Sequence, residues 1–222
     1  MRTRILKISL LVALSAALVG LPATAAPASP ASVPLGVVLQ ANRAQIGTDM
    51  TSGGATIYDG DLLQTGGNGT LRARLGTSQM YLRQNSAAQV RNLSNGFAAD
   101  LTAGTIVVSS PEGQTFQLSA NGATIRPVGT HTTVAQITRV SPNELVLTSS
   151  RGSFEVAMGD EVKTVEAGSS YRMESEPDAS DPGPQGGPYH PARNRFLWIA
   201  IVGVSAGTAF GIWRALVSPN EP

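Results

Sequence analysis

Apolar residues in the middle of the chain recur at every second position. Examples are Leu71, Ala73 and Leu75; Met80 and Leu82; Phe97, Ala99 and Leu101; Ile106 and Val108; Phe116 and Leu118; Phe154 and Val156; and Ala135 and Ile137 set against Val134 and Gln136. Successive side chains of a strand point to opposite faces, so this pattern predicts half-buried strands. Turn-forming groups interrupt it at short intervals: Asp59-Gly60, Gly66-Gly67-Asn68-Gly69, Asn95-Gly96, Pro111-Glu112-Gly113, Asn121-Gly122, Pro142-Asn143, Arg151-Gly152 and Gly159-Asp160. No long helical period competes. The expectation is an all-β domain of short strands and hairpins, built as a sandwich or a short solenoid. The segment from Val107 to Leu118 also echoes that from Val146 to Val156. Two hairpins of similar build account for the echo, and so does ordinary likeness between β-sequences.

The ends of the chain follow different rules. Arg2, Arg4 and Lys7 precede an apolar run from Ile8 to Leu21, and Ala23-Thr24-Ala25-Ala26 follows it. This is the layout of a cleavable signal peptide, placed at 1–25, with a flexible lead over 26–34. Near the other end, Phe196 to Trp213 holds no charged residue. At 1.5 Å per residue this run of about 18 residues reaches roughly 27 Å, close to a hydrocarbon core of about 30 Å. A single transmembrane helix is therefore expected over 195–217, with Trp198 and Trp213 at the interfaces and a cytoplasmic tail at 218–222. The spacer at 174–194 carries Pro177, Pro182, Gly183, Pro184, Gly186, Gly187 and Pro188, a composition suited to an extended stalk. Arg193 and Arg195 outnumber Arg214, against the positive-inside tendency. A signal peptide followed by a long translocated domain outweighs so small a bias, which puts the β domain at 35–173 outside, in the periplasm.

Composition narrows the chemistry. The chain has no cysteine, which excludes disulfides, zinc–thiolate sites and a cysteine nucleophile. Losing the three basic residues of the signal takes the net charge from +1 to −2, and charged residues make up only 14% of the chain, so no electrostatic footprint for nucleic acid is present. His131 and His190 have no partner at ligand or triad spacing. Asp59 and Asp61 offer carboxylates, but calcium needs several oxygen ligands and the loop has no further acidic run, so turn capping is expected of them. Arg72 and Arg74 share a strand face near Arg83 and Arg91 and read as a solvated surface or, failing that, an anionic contact. No catalytic residue, metal or cofactor is expected.

Taken in order, Tyr58-Asp59-Gly60-Asp61-Leu62-Leu63-Gln64-Thr65-Gly66, then Gly69, Gly76-Thr77-Ser78-Gln79-Met80-Tyr81-Leu82 and Asn85-Ser86-Ala87-Ala88-Gln89-Val90 resemble the FecR domain. Leu101-Thr102-Ala103-Gly104-Thr105-Ile106, Arg126-Pro127-Val128-Gly129-Thr130 and Glu166-Ala167-Gly168 extend the resemblance, which covers Leu35 to Met173. Pro127 and Val128 depart from the family pattern. The matching residues read as scaffold: Gly60, Gly66, Gly69 and Gly76 permit positive φ, Asp61 and Asn85 fix bends through backbone hydrogen bonds, and Gly104 sits in a family strand.

The resemblance implies a protein-contact module of the cell envelope, engaged in signal transduction or scaffolding and without enzymatic activity. FecR-family transducers control a sigma factor through a cytoplasmic N-terminal segment. Here a signal peptide is expected at that end, so anti-sigma activity within the one polypeptide is not. The expected partner is another envelope protein, with self-association through the membrane helix, where Gly203, Gly207 and Gly211 recur at four-residue spacing on one face. The alternative reading is an envelope protein that binds a cell-wall polymer or glycan, although aromatic residues are only 5% of the chain.

Overall fold

The computed structural model describes residues 33–175 and 196–201. The expected signal peptide, most of the lead and spacer, His190, and Gly203, Gly207 and Gly211 lie outside these residues. All regular structure within them is β: β1 (Pro34–Ile46), β2 (Asp49–Met50), β3 (Thr56–Tyr58), β4 (Leu62–Leu75), β5 (Ser78–Leu82), β6 (Ala87–Leu93), β7 (Gly96–Ser110), β8 (Thr115–Ala120), β9 (Ala123–Val128), β10 (Thr133–Ser141), β11 (Glu144–Arg151), β12 (Ser153–Met158), β13 (Glu161–Val165), β14 (Ser170–Ser175) and β15 (Phe196–Ile201).

These strands form one hydrogen-bonded sheet that folds back on itself. The fold-over is visible in the long strands, which change partners midway. The first half of β7 lies between β6 and β8, and its second half between β5 and β10. Likewise β4 pairs with β6 near Leu62 and with β5 from Leu71. Two layers result. One runs β6, β7, β8, β9, β12, β13; the other runs β5, β7, β10, β11, β14, β15. In each, β1 and β4 continue the layer beyond β5 or β6.

The alternating apolar residues face one another between the layers and form a single core. Phe97 and Phe116 are register partners and Phe154 lies opposite Pro127, so three fully buried phenylalanines share one row of the first layer. The second layer answers with Leu71, Met80, Leu82, Ile106, Ile137, Leu145 and Leu147, all buried. Burial of such side chains contributes roughly 1.5–3 kcal/mol each, the main term holding the layers together. Pro127, where the sequence departs from the family pattern, is the penultimate residue of β9 and does not end the strand early.

Two expectations need correction. The echoing segments are not hairpins. Each runs from the second layer to the first: β7 to β8, which pair in parallel through Gly96–Thr115 and Asp100–Ser119, and β11 to β12. The turns at Pro111 to Gln114 and at Gly152 are arches between layers, so equivalent chain paths underlie the echo. The second correction concerns the expected membrane helix, whose first residues, Phe196–Ile201, form strand β15, paired antiparallel with β14 from Ser175–Phe196 to Ser170–Ile201. Phenylalanine, tryptophan and isoleucine suit a strand, and β14 offers an edge to pair with. The remainder of the 195–217 segment lies outside the described residues.

Candidate functional site: a seam where the strands turn between layers

Four consecutive passes of the chain bend from one layer to the other along a single line. On β1 the bend falls at Arg43 (φ 46), on β4 at Gly66 to Gly69, between β5 and β6 at Arg83 to Ser86, and on β7 at Gly104 (φ 75). Where ladders turn a corner, backbone N–H and C=O groups lose their strand partners and must find others. Local polar groups supply them here. Thr65 Oγ1 accepts from the Ser86 N–H at 3.0 Å and donates to the Arg83 carbonyl. Ser86 Oγ accepts from the Thr105 N–H at 2.8 Å and donates to the Thr105 carbonyl at 3.1 Å. The Asn85 N–H donates to the Gly66 carbonyl at 3.1 Å, and the Thr65 N–H to the Ser86 carbonyl at 2.8 Å. Thr65 and Ser86 are buried, and each hydroxyl both donates and accepts.

The seam requires glycine at two positions. A Cβ on Gly104 would overlap the Asn85 carbonyl and the Ser86 hydroxyl, and would stand 2.7 Å from Ser86 Cα, at a φ that side chains rarely adopt. A Cβ on Gly69 would lie 2.6 Å from the Arg43 carbonyl and 2.8 Å from the Gly66 nitrogen. The bulge here sets the four residues Gly66 to Gly69 opposite Arg43 alone. Gly66 and Gly69 were expected to supply positive φ. Instead Asn68 does so at φ 60, and Asn85 at φ 53 serves through its own backbone conformation.

The other singled-out residues lie at the opposite end of the layers. Asp61 Oδ2 accepts from the Tyr58 N–H and Asp59 Oδ1 from the Asn92 N–H, both at 2.7 Å, where the chain crosses from β3 to β4. Gly60 (φ 88) binds the Val90 carbonyl through its N–H at 2.9 Å, and Gly76 (φ 59) opens the two-residue turn between β4 and β5. The two aspartates thus cap backbone groups. The arginines are dispersed: Arg72 and Arg74 lie on the outer face of the second layer, Arg91 on that of the first, and Arg83 at the seam. His131 is exposed in the crossing from β9 to β10. Among the described residues no three His, Cys, Asp or Glu side chains are grouped as a metal site.

Sequence reasoning passed over Thr65 and Ser86, although both stand inside the quoted motif. The available signal was a hydroxyl residue beside each bend, in Thr65-Gly66, Asn85-Ser86 and Gly104-Thr105.

No family model matches the chain, and no curated protein matches it. Among solved structures, two crystal structures of a "putative anti-sigma factor" from Parabacteroides distasonis ATCC 8503, at 1.65 and 2.50 Å resolution, resemble it with TM-scores of 0.47 and 0.46. Each is 10% identical to this chain, and the alignment covers 63% of this chain and 59% of the other. The chain therefore spans about 59% of the length of the structures it matches.

Proposed function

We propose that this chain is a membrane-anchored, extracytoplasmic FecR-like module that acts by protein contact in envelope signalling or scaffolding, without catalysis. The observation that supports this reading is the placement of the ordered FecR-like set. Gly66, Gly69, Asn85 and Gly104 meet along one seam, and Asp59, Gly60 and Asp61 shape one crossing. A sequence pattern spread over the chain thus converges on the positions that bend strands between layers, as a scaffold signature must. Such a scaffold displays broad strand faces to partners, and recognition of that kind depends on surface complementarity rather than on a reacting group.

The test is in-cell crosslinking of the tagged full-length protein, purification in mild detergent, and mass spectrometry of near-stoichiometric companions. The reading predicts a recurrent envelope protein whose capture is lost when residues 35–173 are deleted. Recovery of self-crosslinks alone, together with retention of the isolated β domain on cell-wall polymer, would contradict it in favour of polymer binding.

A further inference from the structure

Strand β15 has the sequence FLWIAI and no charge. Its outward side chains are costly where they stand, with Leu197 57% and Ile199 42% exposed to water. Trp198 turns inward and meets Tyr171 edge to face at 6.4 Å between ring centroids. Lys163, facing inward from the opposite layer, places Nζ 4.7 Å from the Tyr171 ring and 5.3 Å from the Trp198 ring. The Trp198 Nε1–H is nevertheless buried without an acceptor among the described residues. At a membrane surface the same indole would keep its ring in an apolar layer and its N–H among headgroups, while Leu197 and Ile199 would leave water.

The same six residues open the uncharged run that ends at Trp213. With them the run reaches roughly 27 Å; without them about 12 residues remain before Arg214, some 18 Å against a hydrocarbon core of about 30 Å. Completing the sheet and completing the span draw on the same chain. We propose that Phe196–Ile201 is a detachable strand whose two places are mutually exclusive: the edge of β14, or the outer end of the membrane span. The inference rests on the membrane-anchor reading above. When the segment enters the membrane, the β14 edge from Ser170 to Ser175 loses its ladder partner and presents unpaired backbone groups, and Tyr171 loses its contact with Trp198. Residues 176–195, between the ends of β14 and β15 and including most of the expected spacer, are enough chain for the exchange. Sheet completion and membrane insertion are thereby coupled through one segment, whose occupancy of β14 reports whether the anchor is fully inserted.

The test uses the full-length chain in membranes. It carries Glu174→Cys with Leu197→Cys, register partners across β14 and β15, in a protein without other cysteines. A short bis-maleimide, which adds one cysteine thiol across each of its two double bonds, traps the strand, and alkaline extraction then separates inserted from released protein. The crosslinked molecules are expected in the extract and the uncrosslinked ones in the membrane pellet. Equal retention of both in the pellet would overturn exclusivity, and absence of the crosslink from every fraction would overturn the strand. Extraction of crosslinked and uncrosslinked protein alike would show that the anchor reading itself fails, and the inference with it. The pair Arg172→Cys and Ile199→Cys repeats the measurement while sparing Glu174.

Discussion

The two halves of the β domain pass between the same two layers by different means. From β1 to β7 the chain bends continuously, each long strand contributing a segment to both layers. From β8 to β14 it breaks instead. The hairpins β8–β9, β10–β11 and β12–β13 lie in alternate layers, joined by short crossings. Bending needs positive φ or a missing side chain on each of four neighbouring passes at one line, and two buried hydroxyls to replace lost ladder bonds. Crossing by arches localises the demand: Ser110 Oγ donates to the Gln114 carbonyl at 3.0 Å within one arch, and Ser149 Oγ to the Gly152 carbonyl at 2.6 Å within the other. In the first half a defect at one bend is shared by its neighbours. In the second it stays with its own arch.

The largest effect that would break this contrast is expected at Gly104. Gly104→Val places a branched side chain at φ 75 against Asn85 and Ser86, and should cost more than about 4 kcal/mol, enough to abolish cooperative unfolding of the domain. A folded variant with near-native denaturation would show that β7 does not need its bend. Phe116→Ala comes next, at about 3–5 kcal/mol, because it empties the centre of the phenylalanine row. Urea denaturation checks it, and a cost well below that range would mean the layers collapse onto the gap. The sharpest comparison is Ser86→Ala against Ser149→Ala. The first orphans the Thr105 N–H at a seam shared by three strands and should cost roughly 2–3 kcal/mol, whereas the second, confined to its arch, should cost about 1 kcal/mol. Equal costs would erase the distinction between the halves.

The alternation from Leu71 to Val156 carried the fold class, since nearly every residue it assigned to the inner face is buried. The bends were harder to read. β4 keeps its inner face on odd positions from Leu63 to Leu75, so in sequence it looks like an ordinary strand with glycines in it. In β7 the inner face moves from Phe97, Ala99 and Leu101 to Ile106 and Val108, a change of phase around Gly104 that local sequence does not tell from a turn between two separate strands. The echo around Ser110 and Ser149 was visible, but local sequence does not tell an arch from a hairpin. The difference lies in which strand the returning chain pairs with, a long-range fact. Hydropathy sees only the apolar content of Phe196–Ile201 and so favours a membrane helix there, whereas the same residues are good strand formers once an edge such as β14 is available. Glycine chemistry flagged Gly69 and Gly104, yet the roles of Thr65 and Ser86 emerge only when three strands converge.

Hydrogen exchange in the full-length protein, followed by mass spectrometry of peptides spanning 62–69, 83–90 and 101–108, tests the seam most directly. If these segments form the joint that unites the layers, the amides of Thr65, Ser86 and Thr105 exchange only through global unfolding and share one protection with the core strands. Rapid exchange at those positions beside a protected β6 and β7 would mean the segments are surface loops, and the scaffold reading of the FecR-like residues would be wrong.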